Sequence, residues 1–254
     1  MKAVLELKDV HKNFSGIKAL QGVDIEIYEN EIVGLIGPNG CGKSTTFNAI
    51  SGVIPADSGS ITLYGKEISQ LKPNQINQRG LSRTYQNTRL WRELTVIENL
   101  LLPPKNQLGA NFFNAIFRRR AFRKEERLLI EKAYDVLEIL EVTHMADNLT
   151  SELSGGQSKL VDIGRVLMSD PKILLLDEPV AGVAGPLTEK IFNKIGELRD
   201  KLGITVVIVE HDMKFILRQG IDRIYVMASG QIIAKGTHDE IREKQEVIDA
   251  YLGD

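Results

Sequence analysis

The 254-residue sequence has a single cysteine and no apolar run long enough to cross a membrane. Because one cysteine cannot form an internal disulfide, we expect a reducing, cytosolic location. Glu6 and Asp9 lie where a signal peptide would need an unbroken apolar segment, so no signal peptide is predicted. The longest apolar stretches, such as residues 173–176 and 204–209, are far shorter than the ~20 residues that span a bilayer. The sequence therefore predicts a protein that does not cross a membrane by itself.

An excess of charge of either sign is also absent. The 32 Lys and Arg residues nearly balance the 34 Asp and Glu residues, for a net charge of −2. This balance argues against a basic nucleic-acid-binding surface, so no nucleic-acid partner is expected. The 43% of hydrophobic residues is typical of soluble globular proteins. At ~150 residues per domain, the length allows one or two domains with a core of their own.

Short β-rich segments alternate with helical patterns toward both ends of the sequence. Predicted strands cover residues 4–7, 23–28, 32–36, 60–64, 173–176, 204–209 and 224–227. Helical patterns follow Lys43, run through residues 187–202 and 213–217, and close the sequence at 239–252. Strands that alternate with helices favour a mostly parallel sheet covered on both faces. We therefore predict an α/β fold.

The middle of the sequence, from about residue 73 to 169, has a different pattern. Its later part places apolar residues on one helical stripe, at Leu129, Ala133, Val136, Leu137 and Leu140. We predict a single domain over residues 1–254, with an α/β core of about 1–86 and 170–254. An α-helical subdomain of about 87–169 is inserted into that core.

The segment from Gly37 to Ser44 matches the phosphate-binding pattern G-x-x-x-x-G-K-[ST] and lies between a predicted strand and a predicted helix. Its backbone N–H groups and Lys43 are expected to bind the phosphates of ATP, and the Ser44 hydroxyl to bind Mg²⁺. A glycine turn without a ligand is the alternative. The predicted nucleotide-binding residues of this segment are Gly37, Pro38, Asn39, Gly40, Cys41, Gly42, Lys43, Ser44 and Thr45.

Two adjacent carboxylates, Asp177 and Glu178, follow the predicted strand at 173–176. Ligands bind at the carboxyl ends of the strands in open α/β sheets. Asp177 is predicted to hold Mg²⁺ through its water shell, and Glu178 to act as the general base for the attacking water. A solvated acidic turn is the alternative.

Ser154, Gly155, Gly156 and Gln157 precede a helical pattern at 158–168. Exposed N–H groups and a hydroxyl at a helix start favour a second phosphate site, with a simple helix cap as the alternative. With this Leu-Ser-Gly-Gly-Gln segment and the two motifs above, the chain resembles the ATP-binding cassette (ABC) ATPases. The resemblance covers essentially the whole chain. The resemblance implies a P-loop NTPase core with an N-terminal antiparallel β subdomain. It also implies a head-to-tail dimer in which this segment binds the partner's nucleotide.

Three more residues match the family by their order along the chain. The resemblance implies that Gln86 contacts Mg²⁺ and the attacking water, that His211 binds the γ-phosphate, and that Phe14 stacks on adenine. Alone, each has an ordinary explanation, as a loop residue, a capping histidine and a core aromatic. Ala184 stands where most members have an aspartate that couples the two sites of the dimer. Whether the loop that contains Ala184 fully supports the partner's site therefore stays open.

Segments 83–90, 178–183, 209–213 and 251–253 resemble the ATPase subunits of branched-chain amino acid importers. The implied partners are a second ABC ATPase subunit, identical or different, transmembrane permease subunits and, indirectly, a substrate-binding protein. The implied location is peripheral, on the cytoplasmic face of the cell membrane. Export of lipid or lipopolysaccharide, import of another small solute, and a soluble iron–sulfur assembly ATPase stay open as alternatives. Trp91 fits either a core or a surface that receives a membrane-subunit helix.

Overall fold

The computed structural model describes residues 2–104, 119–183, 185–211 and 220–252. The predicted helix at 213–217, the position of Ala184 and the end of the 251–253 segment lie outside those residues. The chain divides into two compact units. The first comprises Met1–Arg83, Lys172–Pro179 and Ile195–Asp254, and the second comprises Thr84–Pro171 and Val180–Lys194.

The strands and helices are numbered in chain order. The strands are β1 (Leu5–Phe14), β2 (Ile17–Ile27), β3 (Ile32–Ile36), β4 (Ser58–Leu63), β5 (Lys66–Glu67), β6 (Leu81–Arg83), β7 (Ile173–Asp177), β8 (Thr205–Glu210), β9 (Arg223–Ala228) and β10 (Gln231–Gly236). The helices are α1 (Lys43–Ile50), α2 (Pro73–Gln78), α3 (Val96–Leu101), α4 (Arg119–Ile139), α5 (Gly155–Leu167), α6 (Gly185–Leu202), α7 (His238–Arg242) and α8 (Gln245–Leu252). None of the helices described is both long enough and apolar enough to cross a membrane.

Two sheets form the framework of the first unit. The antiparallel sheet has the order β2-β1-β4-β5, and the larger sheet has the order β10-β9-β3-β8-β7-β6. In the larger sheet all neighbours pair in parallel except β9 and β10. Every residue of β3, β7 and β8 is buried, as expected for parallel strands covered on both faces. The predicted α/β class with an N-terminal antiparallel sheet is therefore confirmed.

Two strands of the larger sheet were not predicted. The first is β6, whose three residues are too few to show alternation. The second strand, β10, follows β9 through Ser229 and Gly230, whose positive φ values of 46° and 81° make a tight hairpin turn. The C-terminal tail also differs from the single predicted helix, since it forms α7 and α8 instead.

The second unit contains α3, α4, α5 and the first half of α6. Ala133, Val136 and Leu137 of α4 are buried, as the helical stripe predicted. Gly164 of α5 allows close packing there, since a Cβ on it would lie 3.0 Å from Leu140 Cδ1. The unit includes Val180–Lys194, a segment that the sequence pattern had grouped with the α/β core.

Candidate functional site

The loop between β3 and α1 needs glycine at two positions for steric reasons. Gly37 has φ 155° and Gly42 has φ 113°. A Cβ on Gly37 would lie 2.0 Å from the carbonyl oxygen of Met227, and one on Gly42 would lie 2.7 Å from the carbonyl oxygen of Ala19. Because neither position can accept a side chain, the backbone can follow this tight path only with glycine.

Lys43 opens α1 and is buried, with 6% of its surface exposed. Its Nζ donates hydrogen bonds to the carbonyl oxygens of Gly37, at 2.7 Å, and Pro38, at 2.9 Å. The same Nζ lies 3.8 Å from Cys41 Sγ. Burial raises the pKa of the Cys41 thiol, and the nearby Lys43 cation offsets this only in part. The loop therefore encloses one fixed positive charge beside a neutral thiol.

A cavity of about 320 Å³ opens over this loop within the first unit. The predicted residues that line it are Asn39, Gly40, Gly42, Lys43, Ser44, Thr45 and Glu178. Those that the sequence did not point to are Ile17, Lys18, Ala19, Gln21, Ser229 and Gly230. The volume is at the lower end of the range for small-molecule sites, and the lining combines the glycine-rich backbone of the loop with two lysines, Lys18 and Lys43.

One wall of the cavity comes from β2 and the β9–β10 turn. Gln21 joins them, because its side-chain Nε2 donates to the Ser229 carbonyl at 2.7 Å and its backbone N–H donates to the Gly230 carbonyl at 2.8 Å. Gly230 N–H in turn donates to the Cys41 carbonyl at 2.9 Å. The phosphate-binding pattern alone gives no signal for this wall, since its residues come from two distant parts of the chain.

Phe14 ends β1 and pairs with Ile17 across the β1–β2 hairpin. Its ring is 43% exposed, and Lys12 Nζ lies 5.4 Å from the ring centroid. Phe14 is therefore not a core aromatic. Ile17, which is 73% exposed, lines the cavity itself. The hairpin thus presents two solvent-accessible apolar side chains close to the cavity.

The two carboxylates after β7 occupy different environments. Asp177 is 6% exposed, and its Oδ2 lies 2.6 Å from Arg83 Nη2. Glu178 lines the cavity and lies with its Oε1 3.6 Å from His211 Nδ1. The two carboxylates therefore have different surroundings. Asp177 is held in a buried ion pair, whereas Glu178 faces the cavity beside the His211 imidazole.

Glu178 also has an unusual backbone. Its φ of 48° is left-handed, which is uncommon for a residue with a side chain. Its N–H donates to the Val209 carbonyl at 2.9 Å, so pairing with the next strand holds this conformation. Strained positions of this kind cluster at functional sites.

The Gln86 and Ser154–Gln157 region belongs to the second unit. Gln86 is exposed, and its backbone carbonyl accepts a hydrogen bond from Lys159 Nζ. Ser154 caps α5: its N–H donates to Gln157 Oε1 at 2.8 Å, and Gln157 N–H donates to Ser154 Oγ at 3.4 Å. Gly155 is exposed at the helix start, whereas Gly156 is buried. The segment combines an ordinary capping box with an open, side-chain-free surface at the N-terminus of a helix.

Comparison with known proteins places these features in a family. The sequence profile described as ABC transporter matches residues 20–181. The chain belongs to the ABC transporter family. It is an ATP-binding cassette, and its ATP hydrolysis is coupled to transport. The predicted family, fold class and ATPase activity are therefore confirmed.

Two relatives match the cassette over almost its full length. The probable branched-chain amino acid transport ATP-binding protein LivG of Methanocaldococcus jannaschii is 41% identical, over 99% of this chain and 98% of the relative. The high-affinity branched-chain amino acid transport ATP-binding protein BraF of Pseudomonas aeruginosa is 38% identical, over 100% of this chain and 99% of the relative.

Two solved structures extend the comparison to the fold. The ATP-binding cassette MJ1267 in its ADP conformation has a TM-score of 0.86 and 39% identity, and each chain is covered completely. A dimeric structure of the cassette MJ0796 bound to ADP and Pi has a TM-score of 0.75 and 27% identity, over 92% of this chain and 98% of that one. The cassette therefore shares its fold with proteins whose nucleotide-bound forms are known.

Proposed function

We propose that this cassette powers the import of branched-chain or other hydrophobic amino acids. The observation that carries the proposal is the near-complete coverage, at about 40% identity, of relatives named for branched-chain amino acid transport. In this function the chain is a peripheral subunit on the cytoplasmic face of the membrane. It works with transmembrane permease subunits and, through them, with a substrate-binding protein.

The cavity supports the following chemistry. The loop N–H groups and Lys43 bind the β- and γ-phosphates of ATP, and the hairpin residues Phe14 and Ile17 contact the adenine. A water molecule attacks the γ-phosphorus in line, and the bond to the bridging oxygen of ADP breaks. Glu178 accepts the proton of that water, and His211 stabilises the charge that develops on the transferred phosphoryl group. ADP and inorganic phosphate are the products.

The donor atoms fit Mg²⁺. The proposed donors in the first unit are hard oxygens: the Ser44 hydroxyl binds the ion directly, and the Asp177 carboxylate holds it through its water shell. Gln86, which belongs to the second unit, stays a prediction from the family resemblance. Among the residues described, no cluster of three or more His, Cys, Asp or Glu side chains can form a protein-only metal site. Mg²⁺ in nucleotide sites binds in the same way, through one or two protein oxygens plus the phosphates. Once bound, the ion neutralises charge on the β- and γ-phosphates.

A head-to-tail dimer with an identical or a different cassette completes the site. Ser154, Gly155, Gly156 and Gln157 bind the nucleotide held by the partner's phosphate loop. The open Cα of Gly155 supports this role, because among the residues described the Gly182 carbonyl oxygen is the nearest atom to a Cβ there, at 3.8 Å. ATP binding then closes the dimer, hydrolysis reopens it, and the permease follows this cycle.

The test uses the cassette reconstituted in vesicles with the permease and binding protein of the same organism that co-purify with it. Wild-type vesicles are expected to accumulate leucine in an ATP-dependent manner, and Glu178→Gln vesicles to accumulate none. The Glu178→Gln cassette should still bind ATP and dimerise, because the base is needed only for the chemical step. The matched control is Glu243→Gln, an exposed carboxylate between α7 and α8, which should transport normally. Unchanged hydrolysis by Glu178→Gln, or hydrolysis stimulated by lipid without leucine uptake, would contradict the proposal.

A further inference from the structure

Arg83 is the last residue of β6 and pairs with Leu175, two residues before Asp177. Residues two apart on a strand point to the same face, so this register brings the Arg83 side chain toward Asp177. In the ion pair, Asp177 Oδ2 lies 2.6 Å from Arg83 Nη2. The two side chains are 6% and 7% exposed, so solvent screens the pair only weakly.

The same guanidinium also holds α1, the helix that begins with Lys43. Its Nη1 donates to Asn48 Oδ1 at 2.8 Å and to Ser51 Oγ at 3.0 Å. Its carbon atom lies 5.4 Å from the centroid of the Phe47 ring. Arg83 therefore connects the strand that ends in Asp177 to the helix that carries Ser44.

Only an arginine side chain suits these contacts together. Its planar fork presents several N–H donors in fixed directions, so that one end reaches the carboxylate while the other reaches the helix. A lysine at position 83 has a single ammonium group that cannot satisfy the two sides in the same way. The contacts thus fix the carboxylate of Asp177 relative to the C-terminal half of α1, the helix whose start carries Ser44.

We propose that Arg83 is a positioning residue that orients the Asp177 carboxylate for the Mg²⁺ of the bound nucleotide. The inference rests on the proposed function, in which Asp177 and Ser44 serve the same ion. Asp177, Asn48, Ser51 and Phe47, which Arg83 contacts, all lie outside the phosphate loop and the cavity lining, so we place its action at Asp177. Loss of Arg83 should therefore weaken the contribution of Mg²⁺ to nucleotide binding, while metal-free nucleotide binding to the loop persists.

The experiment measures ATP affinity by calorimetry in excess EDTA and in excess Mg²⁺. Arg83→Lys and Arg83→Met are made in the Glu178→Gln background, so that ATP is not consumed. In EDTA, the variants should bind ATP like the parent. The gain in affinity on adding Mg²⁺ should fall about 10- to 100-fold in Arg83→Met, as is typical when a partner of a metal ligand is lost, and by less in Arg83→Lys.

A second readout uses Mn²⁺ as the probe. Electron paramagnetic resonance counts the Mn²⁺ bound by protein with saturating ADP, and Arg83→Lys should need a higher concentration of free Mn²⁺ for half-occupancy. The matched control is Arg223→Lys, which removes another guanidinium of the larger sheet, paired with Glu31 at 2.9 Å and lying 4.8 Å from the Tyr28 ring. That control should leave both measurements unchanged.

An equal loss of affinity in EDTA and in Mg²⁺ would overturn the proposal, because it indicates general damage to the fold. Parental Mg²⁺ and Mn²⁺ dependence in Arg83→Lys and Arg83→Met would overturn it as well. If Arg83→Met does not fold, Arg83→Lys carries the test alone. Absence of ATP binding by the parent itself would instead contradict the proposed function.

Discussion

Gly156 packs against Leu187 so closely that a Cβ on the glycine would lie 2.1 Å from Leu187 Cδ2. Val183 Cγ1 would also lie within 3.0 Å of that Cβ. Among the residues described, the Gly182 carbonyl oxygen is the one atom near a Cβ on the neighbouring Gly155, at 3.8 Å. The packing of the described part of the second unit therefore requires glycine at position 156 but leaves room for a side chain at position 155.

Gly156→Ala is expected to destabilise the cassette, because the new methyl group forces Leu187 out of its position. Overpacking of this kind costs about 1–3 kcal/mol, which thermal unfolding detects as a lowered midpoint. Gly155→Ala is the matched control for stability and should unfold at the wild-type temperature. It should instead reduce ATP-dependent dimerisation, measured by size exclusion with the Glu178→Gln cassette. Equal unfolding midpoints for the two variants would contradict the packing difference.

Lys43→Ala should abolish measurable ATP binding, because the only charged side chain among the cavity-lining loop residues is lost. Isothermal titration with ATP checks this, and tight binding by the variant would show that the loop does not hold the phosphates through Lys43. The matched control is Lys201→Ala on α6, whose side chain is 66% exposed and pairs with Glu197. That variant should bind ATP like the wild type.

Asn99→Ala should destabilise the second unit by about 1–3 kcal/mol, because it leaves buried backbone groups without their partner. Asn99 is fully buried; its Oδ1 accepts from Trp91 N–H at 2.8 Å, and its Nδ2 donates to the Trp91 and Thr95 carbonyls. Urea unfolding provides the measurement. Asn148→Ala, an exposed position in the same unit, is the control and should change the free energy of unfolding little.

Trp91 is the single tryptophan and is 62% exposed, so it reports on the same region directly. Its fluorescence should be quenched readily by acrylamide in the folded protein. An unquenched, blue-shifted emission would contradict the exposed position.

Cys41 should react slowly with iodoacetamide at pH 7, because burial raises the pKa of its thiol and the thiolate is the reactive form. The rate should keep rising with pH through the range in which an ordinary thiol has already ionised. Mass spectrometry follows the reaction without ambiguity, since the chain has no other cysteine. ATP should slow labelling by covering the loop. A rate at pH 7 equal to that of a free thiol would contradict this prediction.

The long periodic elements and the short motifs were predictable from sequence. A strong apolar pattern marks three of these elements: the strand before Gly37, the strand before Asp177 and the stripe on α4. β6 was not predictable, because its three residues carry no periodicity and its pairing with β7 bridges distant parts of the chain. Arg83 was missed for the same reason, since only that pairing brings it next to Asp177.

The residues of the cavity wall were also not predictable from sequence. Ile17 is an apolar residue left in solvent at a hairpin, and no pattern distinguishes it from an ordinary surface position. Trp91 could be read as buried or exposed until the position of Asn99 was known. In the structure, the buried Asn99 binds the backbone of Trp91, whereas the Trp91 residue itself is 62% exposed.

The order of strands in the larger sheet has a consequence for biosynthesis. β3, which leads into the phosphate loop, ends at Ile36, whereas its neighbours β8 and β9 begin at Thr205 and Arg223, so the ribosome makes both of them much later. A ribosome-bound intermediate therefore carries the loop without the strands that support it on either side. Until β8 and β9 have been made, the nascent chain must keep the apolar β3 from aggregating.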